Sequence, residues 1–88
     1  MARLDMNEAA IGATGMVPET DILFALGMMY ATGRDCEIDI IAAHKWFNIA
    51  AIKGSREAAA MRYELTDAMT KIEIARALRE AREWMTIH

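Results

Sequence analysis

Two side chains in this sequence have the types that nucleophilic chemistry needs. Cys36 is the single cysteine, and His44 follows it on the next helix that the sequence predicts. A thiol beside an imidazole is a nucleophile–base pair, and such a pair needs a third group to orient the base. No orienting residue stands at a recognisable spacing, and there is no glycine-rich nucleophile turn. Free cysteine in such a setting usually behaves as a small hydrophobe. His44, beside Ala43 and Phe47, reads as a partly exposed helix edge. An enzyme or ligand sensor built on Cys36 and His44 is therefore the minor alternative, and no catalytic residue is expected.

Asp35, Glu37 and Asp39 alternate, as the first ligands of a calcium loop do. An EF-hand loop starting at Asp35 would carry Gly at position 40 and Glu at position 46. The chain has Ile40 and Trp46 there. Asp39 is better used as a helix cap. No metal and no cofactor are expected.

The elements that would hold these residues follow from composition and punctuation. The chain has 88 residues, one domain's worth, and is 55% hydrophobic, enough for a core. Eight Met and many Ala favour helix and close helix packing, whereas β-branched residues are too scattered to support strands. A net charge of −3 argues against a phosphate-binding face, so no nucleic acid is expected. The lone cysteine excludes an internal disulfide framework and suits a reducing compartment. Residues 1–8 carry acids where a signal peptide needs an apolar run, and no stretch of about 18 uncharged apolar residues exists. The expectation is a cytoplasmic protein with no membrane partner.

Residues 1–17 read as an arm. Asp5 to Ile11 has short-helix character, and Gly12, Gly15 and Pro18 then interrupt it. The first firm helix is predicted over 18–32, with Pro18 in its first turn, Glu19 and Asp21 at the positive end of its dipole, and Gly33 as C-cap. Ile22, Leu26, Met29 and Tyr30 recur on it at helical spacing. Asp39 caps a second helix over 40–53, with an apolar stripe of Ile40, Ala43, Phe47 and Ala50. Gly54 closes it, and Ser55 caps a third helix over 56–69. Thr70 and Glu73 have the spacing of a capping box and open a fourth helix. Its predicted buried face is Ile74, Ala77, Leu78, Ala81, Trp84 and Met85, and its wet face carries Lys71, Arg76, Arg79, Glu80 and Glu83. Short connections make neighbours antiparallel, which predicts an all-α fold of two helix hairpins.

One spacing is more specific. Leu26, Gly27, Tyr30 and Gly33 are followed by Asp39, Ala43, Trp46, Ala50, Ala51, Gly54 and Ala58. This pattern, from about Ile22 to Ala58, resembles the Sel1-like repeat, a relative of the tetratricopeptide repeat with two helices per unit. The resemblance implies a short α–α superhelix: a repeat over 18–54 and a degenerate second pair over 55–88 acting as a C-terminal cap. Two departures stand out. Asp35 occupies the position of a second turn glycine, and Cys36 that of a small hydrophobic residue. In the second unit, Arg62, Tyr63 and Thr66 occupy the Leu, Gly and Tyr positions. The tail from Arg62 to Trp84 also resembles the terminal segment of small alphaproteobacterial members. The residues themselves give the pattern a physical sense: Gly27, Ala43, Ala50 and Ala51 permit close approach, and Tyr30 and Trp46 fill the remaining volume.

In such families the first helix of each pair lines a concave surface. The resemblance therefore implies a groove carrying Asp21, Phe24, Met28, Met61 and Glu64, suited to a peptide or amphipathic helix bearing Lys or Arg. For Phe24 and Met28 the equal alternative is packing against residues 1–17. The expected function is that of a protein-binding adaptor, with a structural dimerisation subunit as the alternative. Repeat arrays usually need about three units, so the open N-terminal face requires the arm, a second copy of the chain or a partner to cover it.

Overall fold

The structure, a computed structural model, describes residues 17–88. Apart from Val17, which is exposed, the predicted arm lies outside the described residues. Among those residues the chain is all-helical, with four helices and no strand: α1 (Glu19–Thr32), α2 (Ile40–Ile52), α3 (Arg56–Thr66) and α4 (Lys71–Ile87).

The predicted caps are present. The Asp39 carboxylate accepts from the Ala42 amide at 3.0 Å, and the Ser55 hydroxyl from the Ala58 amide at 3.1 Å. At Thr70 the box is closed from both sides: the Glu73 amide donates to Thr70 Oγ1 at 3.1 Å, and the Thr70 amide donates to Glu73 Oε1 at 2.9 Å. Each cap satisfies a helix-end amide that has no partner within its own helix. Gly33 takes φ 76° and ψ 23°, the left-handed conformation that ends α1. The third helix stops at Thr66 rather than Met69. The Ala68 amide bonds the Leu65 carbonyl and the Met69 amide bonds the Thr66 carbonyl, so the last residues form tight turns that lead into the Thr70 cap.

α2 is the centre of the molecule, and Phe47, Ile49, Ala43 and Ala50 on it are fully buried. α1 packs on it as an antiparallel hairpin. Lys53 at the end of α2 pairs with Glu19 at the start of α1 at 3.3 Å, and the Asp39 amide donates to the Tyr30 carbonyl at 2.9 Å. Gly27 allows the close approach expected of it: a Cβ there would lie 2.5 Å from two ring carbons of Phe47. α3 returns antiparallel along another side of α2. α4 departs from the expected pairing with α3, because its principal neighbour is also α2. Ala77 and Ala81 let it approach, and Trp84 meets Trp46 edge-on with ring centroids 5.5 Å apart. Its wet face is as predicted, with Arg76–Glu80 at 2.9 Å and a looser Arg79–Glu83 pair at 3.9 Å.

α1 is rotated from the expected orientation. Its buried residues are Leu23 and Gly27, and Ile22, which helical spacing grouped with Leu26, Met29 and Tyr30, is 51% exposed. Leu26, Met29 and Tyr30 are half-buried on the flanks. The close contact of Gly27 with Phe47 sets this rotation, since only that side of α1 can reach α2 so nearly.

Candidate functional site

With Leu23 and Gly27 turned inward, helical geometry turns Asp21, Ile22, Ala25, Met28, Met29 and Thr32 outward. Asp21, Ile22, Ala25 and Thr32 are exposed, and the two methionines are half-buried. This face is not flat. One depression of about 340 Å³ is lined by Phe24, Ala25, Met28, Met29, Thr32 and Arg34. A second, of about 270 Å³, is lined by Ile22, Ala25, Leu26, Met29, Arg34 and Asp35. Arg34 borders both and has no acidic partner among the described residues. An apolar strip therefore runs along α1 between an acid at its start and a base at its end. A helix that is apolar on every side is normally covered on every side. Among the described residues, α1 is covered on one.

The residues expected to form a groove divide into three groups. Asp21 stands at the acidic end of this strip. Phe24 and Met28 line its larger depression while also packing against the core, with the Phe24 ring centroid 5.6 Å from that of Phe47. Met61, on α3, packs against the same core, and Glu64 is exposed. α1 and α3 make only sparse contact with each other, so α1 carries the continuous part of the surface. Ile22, Ala25, Met29 and Arg34 were not singled out for this surface in the sequence. Gly27 was the signal that would have found them: a glycine marking the close-approach side fixes the opposite side as outward.

His44 is the clearest correction. It is not at a helix edge but 2% exposed, between α2 and α3. Its Nε2 lies 3.3 Å from Thr66 Oγ1, and the Thr66 hydroxyl donates to the Arg62 carbonyl at 2.9 Å. With the hydroxyl hydrogen committed there, Thr66 accepts from His44, which places the imidazole hydrogen on Nε2. The Nδ1 atom is left buried without a partner. One turn along, Arg62 Nη1 donates to Asn48 Oδ1 at 2.7 Å. Burial first, and the Arg62 charge second, hold the His44 pKa below its ordinary value. His44 and Asn48 are four apart on α2, as Arg62 and Thr66 are on α3. Two polar rungs thus fix the register of that helix pair. A one-turn slip would strand all four polar side chains.

Cys36 and His44 serve different partners. The Cys36 thiol points to the Met29 carbonyl, with Sγ at 3.6 Å, and His44 is committed to Thr66. Cys36 also lines a cleft of about 460 Å³ with Tyr30, Glu37, Asp39 and Glu73. Among the described residues no three His, Cys, Asp or Glu side chains are grouped to hold a metal ion, and no helix is long and apolar enough to cross a membrane.

No family model, no curated protein and no solved structure matches this chain.

Proposed function

We propose that the chain is a protein-interaction module that acts by displaying a rigid helical surface, and that the outward face of α1 is the docking surface. The observation that carries this reading is the strip itself. Ile22, Ala25, Met28 and Met29 form a contiguous apolar face on a helix whose opposite side is already packed. Tyr63 at 75% and Ile72 at 82% are also exposed, but on other helices. A helix partner laying its own apolar face along α1 would bury the strip, with a basic residue near Asp21 and an acidic one near Arg34.

Membership of the Sel1-like repeat group is part of the proposal. It rests on the spacing from Leu26 to Ala58 and gains support from one backbone detail. Asp35, which stands where such repeats carry a second glycine, has φ 64°, a conformation glycine adopts freely and aspartate tolerates.

The test is site-specific photo-crosslinking in cells, with the crosslinker at Ala25 on the strip and at Arg79 on the wet face of α4. The expected result is a discrete adduct from Ala25 that is absent from Arg79 and lost when Ile22→Glu and Met29→Glu are added. Equal labelling from both positions, or none from Ala25, would refute the reading.

A further inference from the structure

We infer that the occupant of the α1 strip is the α1 strip of a second copy of this chain, laid antiparallel across a two-fold axis. This rests on the reading of that face as the docking surface and names its partner. The argument begins with charge. Asp21 and Arg34 stand at opposite ends of the strip, separated by roughly 20 Å at about 1.5 Å per residue. Two-fold symmetry makes the contact self-complementary, so residue i meets residue j and j meets i. An axis midway between Asp21 and Arg34 sets Asp21 of each copy against Arg34 of the other. Both ends of the interface then carry an opposite-charge pair, and Arg34, without an acidic partner among the described residues, gains one.

The same register suits the shape. Leu26 falls opposite Met29 of the second copy, and Met29 opposite its Leu26. Ile22 falls at the Arg34 end of the second copy's depression of about 270 Å³, which Ala25, Leu26, Met29 and Arg34 help to line. Ala25, exposed at mid-strip, lets the two backbones come close. Methionine, flexible and unbranched, adapts to what it meets. A parallel arrangement would set Asp21 against Asp21 and Arg34 against Arg34.

Size sets the strength. A strip roughly 20 Å long and one helix wide is well below the ~800 Å² per partner of a standard stable interface. The self-association is therefore weak and rises with concentration.

The test is sedimentation equilibrium of the full chain from about 10 μM to about 1 mM, with circular dichroism and a thermal melt on each variant to show intact folding. The wild type should pass from monomer to dimer across this range. Arg34→Asp sets two like-charge pairs against each other, and the dissociation constant should rise about tenfold. Asp21→Arg combined with Arg34→Asp exchanges the charges, and the constant should return to within about threefold of wild type. A monomer throughout, a dimer indifferent to Arg34→Asp, or a double variant no better than the single one would each overturn the antiparallel pairing. A strict monomer that still crosslinks from Ala25 to another protein would sink the self-pairing and leave the docking reading standing.

Discussion

Replacing Gly27 with alanine tests the packing logic because two known effects oppose each other. Alanine is the better helix former by about 1 kcal/mol, so in an exposed helix the change would stabilise. Here the new Cβ would lie 2.5 Å from Cδ1 and Cε1 of Phe47. Carbon atoms prefer separations of about 3.5–4.0 Å, so one partner must retreat by about 1 Å or more. Phe47 is fully buried and its ring lies against that of Phe24, with centroids 5.6 Å apart, so it has no open space to enter. Overpacking of this kind costs about 1–3 kcal/mol, and a clash with a confined ring belongs in the upper half of that range. After subtracting the helix-propensity gain, a net loss of about 1–2 kcal/mol is expected, a fall in Tm of roughly 5–15 °C for a domain this small. Thermal unfolding followed by circular dichroism reads it directly. Phe47→Leu, which trims the ring, should relieve the clash, so the double variant should be more stable than the sum of the two single losses predicts. If Gly27→Ala raises Tm, helix propensity has won, and the account of why α1 faces α2 with this side is wrong.

Two further predictions concern polar groups. The pKa of His44 is held low in the folded chain, so below its ordinary value near 6.5 the unfolded chain binds more protons than the folded one. Stability is then full above about pH 6.5 and falls as the pH drops below it toward the depressed folded value. Comparing Tm at about pH 7.5 and pH 5.5 should show a loss in the wild type that shrinks in His44→Gln; an unchanged loss would remove His44 as its source. At the exposed start of α4, Thr70→Ala removes the hydroxyl that accepts from Glu73 and frees one side of the capping box. It should cost about 1 kcal/mol, seen as a Tm roughly 4–8 °C lower, and a change below about 1 °C would show that the box adds nothing.

What the sequence determined by itself was local. Asp39, Ser55 and Thr70 had to cap helices, because a short polar side chain beside free amides is satisfied within a few residues of chain and needs nothing from elsewhere. Gly33 had to end α1, because its left-handed backbone is cheap for glycine alone. Gly27 declared a close approach of α1 and α2 through its size, and that approach formed against the ring of Phe47. What the sequence left open was which of several apolar sides of each helix faces which neighbour. α1 is apolar nearly all round, so periodicity could not choose between Ile22 and Leu23; the fit of Gly27 against Phe47 chose. α4 was expected on α3 because it follows α3 in the chain, yet Trp84 and the alanines found α2, whose side offered Trp46. His44 looked like an edge residue while its partners were unknown. Only when α3 brought Thr66 and Arg62 across to His44 and Asn48 did burial become affordable for an imidazole, since a buried polar group depends on partners that lie far away in sequence. The candidate surface has the same origin: Asp21, Phe24 and Met28 were legible as apolar and acidic side chains on one helix, but the strip with Ile22, Ala25 and Arg34 exists only because tertiary packing turned α1's other side inward.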